Sequence, residues 1–251
     1  MKRLFLILVL LVAVLICGIV LYQSRLYQPQ VEFNYLPAYT SQGDIVKHTA
    51  YTLKYNEPYE QAEWVAYKLT ATRVNAVVKR TNVFRPDPMV KTGSAEPSDY
   101  KNSGYDRGHL APAGDMAWSV TAMSESFYMS NMSPQMPGFN RGIWKKLETK
   151  VRDWAVENEE IYIVTGPILE SNLPTIGKNK VAVPNYFYKV ILDYKEPEFK
   201  EIGFVLPNQS SNQPLESYTV TIDSVEVLTG LDFFPSIPDS LENVIESLLS
   251  F

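Results

Sequence analysis

The sequence predicts an α+β fold, a central and mainly antiparallel sheet flanked by helices. Two patterns carry that expectation. Glu63–Leu69, Glu160–Pro167, Tyr186–Leu192 and Ile202–Leu206 are short runs rich in aromatic and β-branched residues, the composition of sheet strands. Between Asn140 and about Asn158, the apolar residues Ile143, Leu147, Val151 and Trp154 recur at helical spacing and line one face. Size agrees: 251 residues, 45% of them hydrophobic, suffice for one domain or at most two, with a core that needs no staples.

In chain order, Met1-Lys2-Arg3 precede an apolar run from Leu4 to Leu21, long enough to cross a bilayer. Basic residues ahead of such a run favour a cytoplasmic N-terminus and export of the downstream chain. No small-x-small cleavage site closes it, and Ile16 makes a poor lipoprotein box before Cys17. Residues 1–23 therefore read as a transmembrane signal-anchor in preference to a cleaved signal peptide. Residues 24–59 read as a polar, tyrosine-rich tether with an edge strand in Ile45–Leu53. His48 falls there and reads as a surface or structural histidine.

Residues 60–251 make up the globular domain. Val74–Val78 is a candidate extension of the sheet after Glu63–Leu69. Pro86 and Pro88 end any regular element in the following loop, which carries Arg80 and Arg85. Gly93–Gly104 is a small, polar loop. Met116–Met129 reads as a short helix and turn, with Thr121 and Ser124 as candidate caps. Beyond the long helix, Glu196-Pro197-Glu198 marks a turn between two strands, and Tyr218–Ile222 is either a strand or the lead into a helix. The aromatics of Glu226–Pro235 read as core, and Leu241–Leu249 as a last amphipathic stretch. The chain has no internal repeat and no low-complexity tract.

The net charge of −5 is unexpected for a binder of polyanions, but its distribution is uneven. From Asp193 onward there are eleven acids against Lys195 and Lys200, whereas Arg141–Arg152 holds five basic residues against Glu148 alone. Such a local patch steers a polyanion even on an acidic protein. Cys17 is the only cysteine, so the globular part has neither a disulfide framework nor a thiolate metal site. No helix-turn-helix, zinc-finger or RNP-like signature is present to read bases.

The densest chemistry lies in Tyr105–Met116. Asp106, Arg107 and His109 put an acid, a guanidinium and one of only two imidazoles within four residues, with Gly108 allowing close backbone approach. Imidazole is the side chain best suited to take a proton from water near neutral pH, and the arginine fork suits phosphate. His109 thus reads as the activator of a water and Arg107 as facing a phosphodiester. No Gly-x-Ser-x-Gly supports a serine hydrolase. On the helix, Arg141, Lys145, Glu148 and Arg152 share one flank, with Asn140 at its N-terminal end. Taken alone, Asn140 is an N-cap and Glu148/Arg152 an ordinary i,i+4 ion pair.

Asp106-Arg107-Gly108-His109-Leu110 with Gly114, Ser130–Gln135, Phe139-Asn140-Arg141-Gly142, and Trp144 to Leu147-Glu148 together resemble the active-site blocks of the DNA/RNA non-specific endonucleases. These are ββα-metal nucleases that include endonuclease G-like enzymes, and the resemblance covers roughly residues 60 to 240. It implies the ββα-metal nuclease fold, with His109 as general base and Asn140 as the direct metal ligand. Glu148 would hold the ion's waters, Arg107 and Arg152 would neutralise phosphate, and Asn131 would support the histidine region. Either Arg80 or Arg85 would bring charge to the substrate. The implied cofactor is Mg²⁺, with Mn²⁺ as a substitute. The implied partners are DNA and RNA without sequence specificity, cut to leave 5′-phosphate ends; a homodimer is allowed. With the signal-anchor this describes a membrane-attached endonuclease whose catalytic domain lies outside the cytoplasm. Two other readings stay open: a metal-dependent phosphodiesterase for a smaller ester, and a catalytically inactive, membrane-anchored nucleic-acid-binding protein.

Overall fold

The computed structural model describes residues 33–38, 43–195 and 199–238. The expected membrane span, the Glu196–Glu198 turn and the Leu241–Leu249 stretch fall outside them. Among the described residues, no helix is long and apolar enough to cross a membrane. The chain divides into Met1–Asn34 and Tyr35–Phe251, and the strands and helices of the described residues belong to the second unit.

Its strands are β1 (Asp44–Lys47), β2 (Thr52–Asn56), β3 (Gln61–Thr70), β4 (Asp106–His109), β5 (Met132–Gln135), β6 (Glu160–Pro167), β7 (Thr175–Ile176), β8 (Val181–Ala182), β9 (Tyr186–Asp193), β10 (Lys200–Pro207) and β11 (Thr219–Val220). The α-helices are α1 (Ala71–Val74), α2 (Val120–Glu125), α3 (Lys145–Glu157) and α4 (Ile222–Thr229). Seven strands form one sheet in the order β1-β2-β3-β6-β9-β10-β11, antiparallel at every pairing. The α+β expectation with a mainly antiparallel sheet holds.

Cross-strand partners share a face of a sheet. The row Tyr67, Ile163, Ile191 and Ile202 therefore presents one apolar surface. Against it packs the stripe read from the sequence: Ile143, Leu147, Val151 and Trp154 are all buried in the same core cluster as that row. Burying such side chains contributes about 1.5–3 kcal/mol each, which fixes the helix against the sheet.

Ahead of α3 in the chain lies the hairpin β4–β5, antiparallel with Asp106 opposite Gln135 and His109 opposite Met132. A π-helical turn, Phe139–Trp144, joins β5 to α3 and breaks helical geometry at Gly142 (φ −104°, ψ −109°). Such turns are frequent at functional sites. The close approach read at Gly108 is made by the chain itself: a Cβ there would stand 2.1 Å from the Gln135 side chain. The turn is clamped from the C-terminal half. Asn208 accepts from the Met136 N–H at 2.8 Å and donates to the carbonyls of Pro134 and Pro184 at 3.0 Å. Gly138 lies so close to Ser210 that a Cβ would fall 1.7 Å from its hydroxyl.

Three local expectations need correction, and one ambiguity is resolved. Ile45–Leu53 is not one edge strand but parts of β1 and β2, which form a hairpin; β2 is almost wholly buried, so the chain from Asp44 belongs to the sheet and not to a tether. Val74–Val78 does not extend the sheet, because β3 ends at Thr70, whose hydroxyl caps α1. The cap of α2 is Ser119, not Thr121 or Ser124. Tyr218–Ile222 serves both expected purposes, pairing as β11 and entering α4 through the Thr221 cap. Phe233 and Phe234 are buried, as read.

Candidate active site

The hairpin and the π turn bring the two sequence blocks together. Asp106, at the start of β4, accepts from Asn140 Nδ2 at 2.9 Å and from the Arg141 fork at 2.8 and 2.6 Å. A carboxylate only accepts, so the amide nitrogen of Asn140 faces Asp106 and its Oδ1 is turned away. Asn140 is thus not an N-cap: it sits inside the π turn, with its side chain committed to Asp106. Burial would raise the Asp106 carboxyl, but the hydrogen bonds from Arg141 and Asn140 hold it below the usual range.

His109 ends the same strand. It is 7% exposed, and its Nε2 makes no hydrogen bond to any described residue. The ring is held by aromatic edges, with Phe127 at 4.9 Å and Phe84 at 5.9 Å, and these two rings are themselves T-packed at 5.0 Å. Burial, aided by the nearby Arg80 charge, pushes the imidazole down to about 3. His109 is therefore neutral at physiological pH, the state a proton acceptor needs.

Asn131 is fully buried and acts on His109 only at one remove. Its Oδ1 accepts from the Ala111 N–H, and its Nδ2 donates to the carbonyls of Ala111 and Ser126, each at 2.9 Å. It cannot touch a substrate; it fixes the loop that leaves the histidine.

The four arginines separate cleanly. Arg107 is exposed and stacks over Phe84 at 4.3 Å, with no hydrogen bond or ion pair to a described residue, so its fork is free. Arg80 is exposed, lies 4.9 Å over Phe127 and donates from Nε to Asn82, leaving its outer nitrogens at the site. Arg85 is spent elsewhere: it donates to the carbonyls of Val83 and Ser124 and to the Ser124 hydroxyl, and stacks on Tyr128. Arg85 as a substrate contact is thus corrected to a brace for the loop. Arg152 is half-buried and pairs with buried Asp115 at 2.9 Å, not with Glu148; its other nitrogen reaches Thr149.

Glu148 is half-buried on α3 and hydrogen-bonds to no described residue. Burial raises its carboxyl, while Lys189, Arg152 and Arg80 pull it down. Together with the outward-turned Oδ1 of Asn140 it offers hard oxygen donors, the type Mg²⁺ takes while keeping most of its water. The donors present fit such an ion. No group of three or more His, Cys, Asp or Glu residues suited to a metal occurs among the described residues.

His48, the other histidine, lies outside this site. It bonds to Asp87 at 2.9 Å, and Ser130 donates to the same carboxylate at 2.5 Å, all three buried. It is structural. The sequence reading passed over Phe84, Phe127, Asp106 as the partner of Asn140, and Asp115. Asp106 opens the histidine motif, and that position was a usable signal. Nothing in the linear pattern marks two phenylalanines as the walls of a histidine pocket.

A buried neutral imidazole, two guanidinium groups and oxygen donors thus stand at one ββα unit. Residues 32–240 match the DNA/RNA non-specific endonuclease family. "Nuclease EXOG, mitochondrial" of Danio rerio is 36% identical over 76% of this chain, which spans 60% of that protein's length. "Nuclease C1" of Cunninghamella echinulata is 36% identical over 76% of this chain and 82% of its own, and "Endonuclease G, mitochondrial" of Homo sapiens is 36% identical over 75% and 68%. The crystal structure of the EndoG/EndoGI complex superimposes with a TM-score of 0.73 at 34% identity, over 80% of this chain and 90% of that one. The chain belongs to the DNA/RNA non-specific endonuclease family. The match begins at residue 32, so it takes in the β1–β2 hairpin that the sequence reading had left outside the domain.

Proposed function

We propose that the protein is an Mg²⁺-dependent endonuclease, with Mn²⁺ as a substitute, that hydrolyses DNA and RNA without sequence preference. One observation carries this reading: Asp106 latches Asn140 onto the strand that ends in an uncharged His109. His109 takes a proton from the attacking water as the new oxygen–phosphorus bond forms. The bond from phosphorus to the 3′ oxygen breaks, that oxygen takes a proton from solvent to leave as a hydroxyl, and the other fragment keeps a 5′-phosphate end. Arg107 and Arg80, held by Phe84 and Phe127, present guanidinium groups to the phosphate. Asn140 would hold the ion and Glu148 its waters, and the ion when bound supplies Lewis-acid charge at the scissile group. Arg152 and Asp115 brace α3, and Asn131 braces the histidine loop. Contacts of this kind address the backbone and not the bases, which supports cleavage without sequence preference.

The apolar run Leu4–Leu21 supports a membrane-anchored protein with this domain outside the cytoplasm. The test is plasmid and RNA cleavage by the domain from about residue 25, with Mg²⁺, with chelator, and with His109→Ala. Cleavage of both polymers that needs the metal and His109 is expected. Turnover of bis-p-nitrophenyl phosphate with neither polymer cut would replace this reading by a small-ester phosphodiesterase. Binding of nucleic acid without turnover in Mg²⁺ or Mn²⁺ would make the chain an inactive binder.

A further inference from the structure

A cleft that the reaction above does not use lies beside the candidate site. It encloses about 510 Å³, inside the about 300–1,000 Å³ common for small-molecule sites. Tyr105, Met136, Tyr186 and Asn208 are among the residues that line it. Three of these adjoin the Asp106–Asn140 latch. Tyr105 directly precedes Asp106, the Met136 carbonyl accepts from the Asn140 N–H at 2.9 Å, and Asn208 accepts from the Met136 N–H. The fold leaves large side chains open to solvent here: Tyr186 is 43% exposed, Met136 is 40% exposed and Tyr105 is half-buried. Such side chains are ordinary when scattered and point to a ligand when they line one cleft.

The chemistry of the lining narrows the occupant. Glu170 is the one charged residue among those described around the cleft, and Asn185 donates to it at 2.9 Å. A phosphate placed here would meet a carboxylate, whereas Arg107 and Arg80 present guanidinium groups at the site itself. The cleft therefore suits an uncharged part of a nucleotide. Phenol rings and a thioether offer flat, polarisable surfaces to a planar base. Hydrogen bonding in the lining is mostly spent: the Asn208 carboxamide makes three bonds within the fold, and the Asn185 amide is turned to Glu170. Stacking without a fixed hydrogen-bond readout accepts any base, in keeping with cleavage without sequence preference. A base inside a duplex is paired and covered on both faces, so only an unpaired base can enter.

We propose that this cleft binds an unpaired nucleobase next to the scissile phosphate, with Tyr186 and Tyr105 as its stacking faces. The proposal rests on the nuclease reading above and adds a substrate feature to it, an unpaired base beside the cut. The full chain is kept metal-free with chelator, so that no strand is cut, and its binding to fluorescently labelled oligonucleotides is read by anisotropy. A thymidine oligonucleotide is compared with a stable abasic analogue of the same length, which keeps the phosphates and lacks the bases. Wild type should bind the thymidine strand about 5–100-fold more tightly. Tyr186→Ala should remove most of that advantage and leave the abasic affinity unchanged, and Tyr186→Phe should retain it. Tyr105→Ala should act in the same sense, so a folding failure in one variant leaves the other to decide. Equal affinity of wild type for the two strands, an unchanged advantage in the alanine variants, or a loss that falls on both strands alike overturns the proposal. The cleft would then hold something other than a base, while plasmid cleavage with Mg²⁺ would keep the nuclease reading intact. Wild type that binds neither strand and cuts no plasmid would sink the nuclease reading and the proposal with it.

Discussion

The two histidines are buried almost equally, His48 at 6% and His109 at 7% exposure, and each packs on two aromatic rings, but their polar partners differ. His48 is bonded to a carboxylate that also receives Ser130 and the Met89 N–H. His109 has rings for neighbours and no acid beside it. The carboxylate at Asp87 is held below its usual range because the bonds from His48 and Ser130 outweigh burial. The imidazole at His109 is pushed down because nothing opposes burial and Arg80 adds to it. Burial alone therefore says little about function. What separates the two is the acid: His48 Nε2 is bonded to Asp87, while its Nδ1, like His109 Nε2, has no described partner.

The comparison breaks if the two sites respond alike. His109→Ala should lower plasmid cleavage by about 10²–10⁴-fold, the usual worth of a general base, while the protein stays folded. Cleavage at the wild-type rate would remove His109 from the chemistry. His48→Ala should do the reverse: a loss of about 3 kcal/mol in urea unfolding, from a buried carboxylate deprived of its partner, with the activity of the folded fraction retained. A stable but inactive His48→Ala would invert the assignment.

Asn140→Ala should raise the Mg²⁺ concentration needed for half-maximal activity by about 10–100-fold; an unchanged titration would leave Asn140 as no more than the partner of Asp106. The pH windows of the two sites differ as well. His109 takes up its proton near pH 6.5 when unfolded but only near 3 when folded, so the unfolded state binds more protons between these values. Stability contributed there is complete above pH 6.5 and falls as pH drops, by about 2 kcal/mol at pH 5. Unfolding curves of wild type and His109→Ala at pH 7.5 and 5 would expose this slope as a difference. Asp87 acts lower, its contribution present above the ordinary carboxylate range and lost only as pH falls below it. Smallest is Arg85→Ala, with a cost of about 1 kcal/mol in stability from its lost backbone bonds and no change in cleavage. Loss of cleavage there would return Arg85 to the substrate.

Much of the fold was legible because it is written in periodicity. The α3 stripe and strands β3, β6, β9 and β10 follow from alternation and spacing that burial enforces. The β1–β2 hairpin was less so, since Lys54 and Thr52 look like surface residues until Lys54 is seen paired with Glu63 in the interior. In the site, His109 stood out by type and Asn140 only through the resemblance of its block, while nothing in the chain order chose between Arg80 and Arg85. Both lie in one proline-broken loop, and only contact with Ser124, 39 residues on, takes Arg85 out of play. Phe84 and Phe127 were hidden for the same reason: a wall is defined by what it leans on, not by its neighbours in the chain.

Asn208 follows β10, yet one carboxamide there fastens the end of β5, the start of the π turn and the approach to β9. The π turn bearing Asn140 is thereby tied to a residue encoded far downstream. During synthesis, that fastening cannot form until the ribosome has released the asparagine. A fragment ending before Asn208 would carry every proposed reactive side chain and still lack the fastening that sets their geometry.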